Sequence, residues 1–439
     1  MDVSAQRREQ IIGALRRGTV PESSLDLLAV GLEPFETTLD EELAAVGRGI
    51  GAFKAVRGEY GSGKTFFARW LQERARRRGF ATAEVQISET ETPLHRLETV
   101  YRRLMERLAT ADTPQGALRS IIDGWFYTLE QDVLAEGAHA RNDHGALVSR
   151  TSALMEQRLA GVTRTAPALA AALRAYRHAL QEGQTDLADG LVAWIAGQPN
   201  VAASVKRAAA IKGDIDHFGA LSFVQGLLVI LRDSGYSGLL LVLDEVETLQ
   251  RVRGDVREKG LNALRQLLDE VDGGRFPGLY LLITGTASFF DGPQGAQRLP
   301  PLAQRLHVDF TTNSRFDNPR AVQVRLSPFT RERLCHVGQK VRDIYTSHCP
   351  SADRITAVVA DDYIAELAEA VTGRLGGKVG IVPRLFLKKL VGDILDRVEQ
   401  FPDFDPRRHY ALTLAEPEMT AIERSASGGA TVDDIDLST

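Results

Sequence analysis

The eight residues Gly58 to Thr65, GEYGSGKT, fit the pattern G-x-x-x-x-G-K-[ST] and constrain the fold more tightly than any other stretch of the chain. Glycines at this spacing let backbone N–H groups close around phosphate oxygens without a side chain in the way. A helix that starts at the lysine points the positive end of its dipole at the same spot. The flanks agree: GAFKAVRG (Gly51 to Gly58) reads as a short strand and FFARWLQERARRRG (Phe66 to Gly79) as a helix. The expected ligand is a nucleoside triphosphate cradled by Gly58, Glu59, Tyr60, Gly61, Ser62, Gly63, Lys64, Thr65 and Phe66. Lys64 is expected on the β- and γ-phosphates and Thr65 on Mg2+. ATP is expected rather than GTP, because no guanine-reading N-K-x-D pattern is present.

A second half of such a site comes much later, where LLLVLDE (Leu239 to Glu245) is an aliphatic run closed by two acids. Buried parallel strands read as continuous aliphatic runs, and ligands of open α/β sheets lie at the carboxyl ends of the strands. Alone, the run also fits an ordinary core strand; behind a phosphate-binding loop it reads as a Walker B strand. Asp244 is then expected to hold Mg2+ and Glu245 to polarise the attacking water. A third aliphatic strand, Leu279 to Ile283, runs into Thr284, Gly285 and Thr286.

Those three strands together resemble the AAA+ ATPases, in which a polar residue ending the third strand is called sensor 1. The resemblance assigns Thr284 to orienting the water. It implies an arginine finger near LPPLAQRL (Leu299 to Leu306), with Arg305 the candidate and Arg298, Arg315 and Arg320 competing. AVQVRLSPFTRERL (Ala321 to Leu334) reads as a last strand entering a helical lid. GIVPRLFLKKLVGDILD (Gly380 to Asp396) resembles a sensor 2 helix, which puts Arg384 near the γ-phosphate. Leu385, Leu387, Leu390, Val391 and Ile394 are its expected buried face. More narrowly, RREQIIGALRRGTVP, VRGEYGSGKTFFARWL, NPRAVQVRLSPF and VPRLFLKKLVGDILD resemble the BrxD-type ATP-binding proteins of bacterial BREX anti-phage systems over most of the chain. That resemblance implies a role in phage defence beside a helicase. Family members also resemble the origin-recognition and helicase-loader branch of AAA+ proteins, which makes DNA an expected partner.

The fold expected is therefore α/β, an AAA+-type P-loop parallel sheet flanked by helices, with a large helical insertion and a C-terminal helical lid. The segments read as an N-terminal helical part (1–45), an ATPase core (46–105 and 216–328), an insertion (106–215), a lid (329–412) and a flexible tail (413–439). The insertion follows from the long interval between the Walker motifs and from helical spacing at Leu118, Ile122, Trp125 and Leu129, at Leu169, Leu173, Tyr176 and Leu180, and at Leu187, Leu191 and Trp194. Pro114, Gly116, Gly161, Pro167, Gly183, Gly197 and Pro199 are expected to break it into separate helices. Trp125, Phe126, Tyr127 and Trp194 read first as core, with base stacking as the alternative.

With 439 residues, 44 % of them hydrophobic, the chain can bury a large core. A formal charge of -5 gives no global reason to expect nucleic acid, so DNA contact needs a local patch. Lys206, Arg207, Arg251 and Arg253 are the candidates, with a plain charged loop as the alternative for the latter pair. The basic run Arg74, Arg76, Arg77 and Arg78 fits a solvated helix end. Two cysteines, Cys335 and Cys349, fit neither a disulfide framework nor a metal site. A cytoplasmic protein with no membrane span and no apolar signal core is expected. Two functions remain open. One is an ATPase that assembles as a homo-oligomer, engages DNA and loads a helicase; the other is a nucleotide-dependent switch or scaffold with slow turnover and no DNA role.

Overall fold

Consecutive aliphatic residues are buried on both sides only inside a parallel sheet covered by helices, and that is where the three runs lie. In the computed structural model, which describes residues 3–136, 144–374 and 382–412, five strands form one sheet. They are β1 (Ala52–Arg57), β2 (Phe80–Gln86), β3 (Gly238–Asp244), β4 (Leu279–Gly285) and β5 (Gln323–Arg325). Their order is β2-β3-β4-β1-β5, and every pairing is parallel. The strand of Thr284 thus lies between the strand that feeds the glycine loop and the strand that carries the acids.

The helices follow the chain in groups. Before β1 come α1 (Ala5–Arg17) and α2 (Glu33–Gly47), and after it α3 (Lys64–Arg76). Between β2 and β3 lie α4 (Leu97–Arg107), α5 (Leu118–Glu136), α6 (His144–Thr165), α7 (Pro167–Gln181), α8 (Thr185–Ile195), α9 (Ala203–Ala208) and α10 (His217–Asp233). α11 (Gly254–Asp272) joins β3 to β4, and α12 (Ala287–Asp291) and α13 (Pro300–Leu306) precede β5. Beyond it are α14 (Arg331–Thr346), α15 (Ala352–Val358), α16 (Asp361–Arg374), α17 (Val382–Lys388), a π-helical segment Lys389–Leu395, α18 (Asp396–Gln400) and α19 (Pro406–His409). The expected tail 413–439, and Gly380 and Ile381 of the sensor 2 stretch, lie outside the described residues.

Side chains alternate across the sheet with period 2, so each strand feeds two cores. Leu239, Leu241 and Leu243 of β3 share one cluster with Leu281 and Ile283 and with the helices between β2 and β3. Leu240 and Val242 point the other way, into Leu39, Leu43 and Val46 of α2 and Phe67, Trp70 and Leu71 of α3. On the first face α4 packs on β2 and α10 on β3, and α5 and α6 of the segment 106–215 pack on α10 in the same cluster. Leu118, Ile122, Trp125 and Leu129 are buried as their spacing predicts, whereas Leu180 is exposed at the end of α7. Gly161 breaks nothing. It sits inside α6, where a single glycine costs roughly 1 kcal/mol and tertiary packing overrides it. Trp125, Phe126 and Trp194 are core residues, with Trp125 Nε1 donating to Asp233 at 2.6 Å and Trp194 Nε1 to the Gly213 carbonyl at 3.1 Å. They are closed to base stacking; Tyr127 alone of the four is exposed.

The N-terminal residues divide between two hydrophobic clusters. Ile11, Ile12 and Leu15 of α1 complete the third core, built from α14 to α18, while α2 belongs to the sheet. The intervening chain is pinned to α3, whose Glu73 accepts from Ser24 N at 2.9 Å and Leu25 N at 2.7 Å, while Trp70 Nε1 donates to Asp26 at 2.7 Å. It is tied to the C-terminal helices as well, since Lys340 Nζ donates to Ala29 O at 2.8 Å. Beneath it, Lys54 of β1 is 2 % exposed and pairs with Glu42 of α2 at 2.6 Å. Burial lowers the Lys54 pKa, and Glu42 opposes that shift.

Candidate nucleotide-binding site

Parallel register brings the carboxyl ends of the strands together, and the chemistry-bearing residues with them. Gln86 pairs with Asp244 across β2 and β3, and Leu243 with Ile283, so Thr284 lies beside Asp244. The loop after β1 turns through Gly61 (φ 77°) and Gly63 (φ 93°), left-handed values that favour glycine, and α3 starts at Lys64. Gly58 must also lack a side chain, because a Cβ there would meet Ser62 Oγ at 2.3 Å. Lys64 Nζ donates to the carbonyls of Gly58 at 2.8 Å and Glu59 at 3.2 Å and lies 5.2 Å from the centre of the Tyr60 ring.

Three bonds converge on Asp244. Thr65 Oγ1 donates to its Oδ2 at 3.2 Å, Thr284 Oγ1 donates to its Oδ1, and the Glu245 N–H reaches that same oxygen at 3.2 Å. Burial raises the Asp244 pKa, the Thr284 bond lowers it, and Glu84 and Glu245 raise it further. A hydroxyl and a carboxylate held together at the start of α3 are the oxygen donors that a small divalent cation takes. Glu245 has φ 60°, an uncommon conformation for a residue with a side chain, and its Oε2 accepts from Gln86 Nε2 at 2.8 Å. Two residues on, Glu247 is buried and faces Lys64 at 4.0 Å.

These groups open into one cavity of about 600 Å³. Tyr60 to Phe66 form its floor with Asp244, Glu245 and Glu247. Its apolar wall is Val20, Leu28, Val30, Leu32 and Phe35 from the N-terminal chain, with Phe329 from the loop before α14, Val337 of α14 and Leu387 of α17. Arg315, Arg325, Arg333 and Arg384 line it as well, Arg325 paired with Asp317 at 2.8 Å. A phosphate-sized floor beside an apolar chamber fits a nucleoside triphosphate.

Of the arginines read as finger candidates, Arg315 lines this cavity and Arg305 does not. Arg305 is held on α13 by Asp269, at 2.5 Å, and by Asp272. Arg320 pairs with Glu41 at 3.1 Å. The four residues read as a DNA surface are spread over two elements. Lys206 pairs with Asp214 at 2.6 Å and Arg207 Nε donates to the Ala203 carbonyl at 3.4 Å, both on α9. Arg251 Nη2 donates to Tyr60 OH at 3.0 Å, which places it on the glycine loop, and Arg253 next to it is 85 % exposed. Sequence reasoning missed Gln86, Glu247, Arg333 and the whole apolar wall. Gln86 had a signal, being the polar end of the strand ATAEVQIS, where the site of an α/β sheet lies. The wall had none, since nothing local says that residues 18–35 cross the loop.

A glycine loop between a parallel strand and a helix, with a hydroxyl and a carboxylate joined beside it, defines a P-loop nucleotide-binding protein. The family model described as BREX system ATP-binding protein BrxC/D matches residues 3–414, nearly the whole chain. The chain belongs to that family. No curated protein matches it. No helix among the described residues is long and apolar enough to cross a membrane.

Proposed function

We propose that the chain is an AAA+-type ATP hydrolase of a BREX phage-defence system, which couples ATP binding and hydrolysis to engagement of DNA or loading of a helicase in the cytoplasm. The observation that carries the reading is the meeting of Lys64, Thr65, Asp244, Glu245 and Thr284 at one end of the sheet, the last four joined by direct hydrogen bonds. Lys64 and the N–H groups of Gly61 to Thr65 hold the phosphates. Thr65 and Asp244 fit Mg2+, which when bound neutralises charge on the β- and γ-phosphates. Glu245 takes the proton of the attacking water, and Thr284 fixes both Asp244 and the Glu245 backbone. Arg384 and Arg333 come from the C-terminal helices, which act as a lid whose position reports whether the γ-phosphate is present. Arg315 faces the same cavity, while Arg305 must exchange Asp269 and Asp272 for the phosphate of a neighbouring subunit to serve as a finger.

DNA enters through Arg251, whose contact with Tyr60 ties a neighbouring exposed basic loop to the phosphate site. The competing reading, a slow switch without DNA, is favoured by the bond from Gln86 to Glu245, which occupies the base. The steady-state ATPase rate with and without double-stranded and forked DNA, against Glu245→Gln as blank, separates them. Stimulation by DNA supports the first; a slow rate indifferent to DNA supports the second.

A further inference from the structure

Glu247 is 4 % exposed and lines the cavity, yet neither of its carboxylate oxygens accepts a hydrogen bond from a described residue. Buried carboxylates are ordinarily paired and hydrogen-bonded, so an orphan aimed into a ligand cavity calls for a reason. The cation it faces is Lys64, at 4.0 Å, whose ammonium already donates to Gly58 O and Glu59 O. A contact of that length holds charge without a directed bond, and a triphosphate in the loop competes for the same ammonium. From this geometry we infer that Glu247 is the counter-ion from which the nucleotide takes Lys64, and that nucleotide binding is thereby linked to uptake of a proton from solvent by Glu247. The inference rests on the nucleotide site described above and adds a positioning residue to it.

The charges around the carboxylate set the sign. Burial raises its pKa to about 7, Lys64 and the nearness of its own backbone N–H lower it, and Glu245 and Asp244 raise it. Tyr60 stands between Lys64 and Arg251, and its own pKa is raised by burial, so it stays neutral. Drawing Lys64 onto phosphate weakens the influence that favours the carboxylate, and the phosphates add negative charge. The carboxyl pKa is therefore higher with nucleotide bound than without. Below about pH 7 the group is already neutral and no proton is taken up; above it, binding must protonate Glu247, and affinity falls by up to about tenfold per pH unit.

The test titrates full-length wild type and Glu247→Gln with a fluorescent non-hydrolysable ATP analogue at saturating Mg2+ from pH 6 to 9. Calorimetry at pH 8, in two buffers of different ionisation heat, counts the protons. Wild type should lose affinity above pH 7 and take up close to one proton more than the variant, while Glu247→Gln should bind about tenfold more tightly than wild type at pH 8. Titration of the nucleotide is common to both proteins, so the difference between them reports the charge at position 247. Equal pH slopes and equal proton counts overturn the inference, as does weaker binding by Glu247→Gln at every pH. Should the Gln variant fail to fold, Glu247→Asp keeps the charge and must keep the pH slope; a flat slope in it overturns the inference. Wild type that binds no analogue at any pH marks failure of the nucleotide site itself.

Discussion

Gln86→Ala removes the bond that the end of β2 donates to Glu245 Oε2 at 2.8 Å. A hydrogen bond to a charged group contributes about 1.5–3 kcal/mol when shielded, and the exposure of Gln86 to solvent puts this one at or below the lower figure. Since about 1.4 kcal/mol is a factor of ten, the unrestrained population of Glu245 should rise by at most about tenfold. Gln86 is not among the residues lining the cavity, so nucleotide contacts stay as they are. The expected result is a basal kcat raised by up to about tenfold with KM unchanged, in a phosphate-release assay at saturating ATP without DNA. DNA should stimulate the variant less than wild type, because the restraint it would relieve is gone. An unchanged kcat refutes the idea that Gln86 withholds the base. A lowered kcat refutes it in the other direction and makes Gln86 an orienting residue.

Lys64→Ala should abolish binding of ATP analogues in calorimetry while leaving the circular-dichroism spectrum intact. Glu245→Gln should bind ATP and fail to turn it over; normal turnover would move the base elsewhere. Joint replacement of Lys206, Arg207, Arg251 and Arg253 by Ala should abolish salt-sensitive DNA binding, and Arg251→Ala alone should also change the basal ATPase rate through Tyr60. Unchanged DNA affinity in the fourfold variant would take those residues out of the interface. Glu42→Ala leaves Lys54 buried with only the Pro319 and Ala321 carbonyls, and should cost about 3 kcal/mol in urea unfolding.

The parts of the site that obey local rules are legible in the amino-acid sequence. A glycine loop, an aliphatic strand ending in acids and a strand ending in threonine each carry their meaning within a few residues, and Lys64, Thr65, Asp244 and Thr284 do meet. Helical spacing likewise puts Trp125 and Tyr176 inside, where they lie. Elsewhere long-range packing decides. Arg305 looks free in LPPLAQRL, and only the approach of α11 brings Asp269 and Asp272 to it. Glu247 looks like a surface acid in VETLQ until the 3-10 turn folds it toward Lys64. The helices of the insertion 106–215 join the core of one sheet face by way of the flanking α4 and α10, which no local pattern within 106–215 announces.

The split of the N-terminal residues between two cores also bears on how the chain comes off the ribosome. Ile11, Ile12 and Leu15 pack against Leu385, Leu390 and Ile394, and Arg16 bonds to Asp396 at 2.6 Å, across a sequence separation of 380 residues. During vectorial synthesis α1 therefore emerges early and waits long, an apolar face without its partner until the last helices of this core have been made. The nucleotide cavity takes one wall from residues 18–35 and another from the C-terminal helices, so it closes only when that late docking occurs. Competence to bind ATP then coincides with synthesis of α17 and the π-helical segment, and a nascent or truncated chain that lacks them should bind no nucleotide even with its glycine loop fully formed.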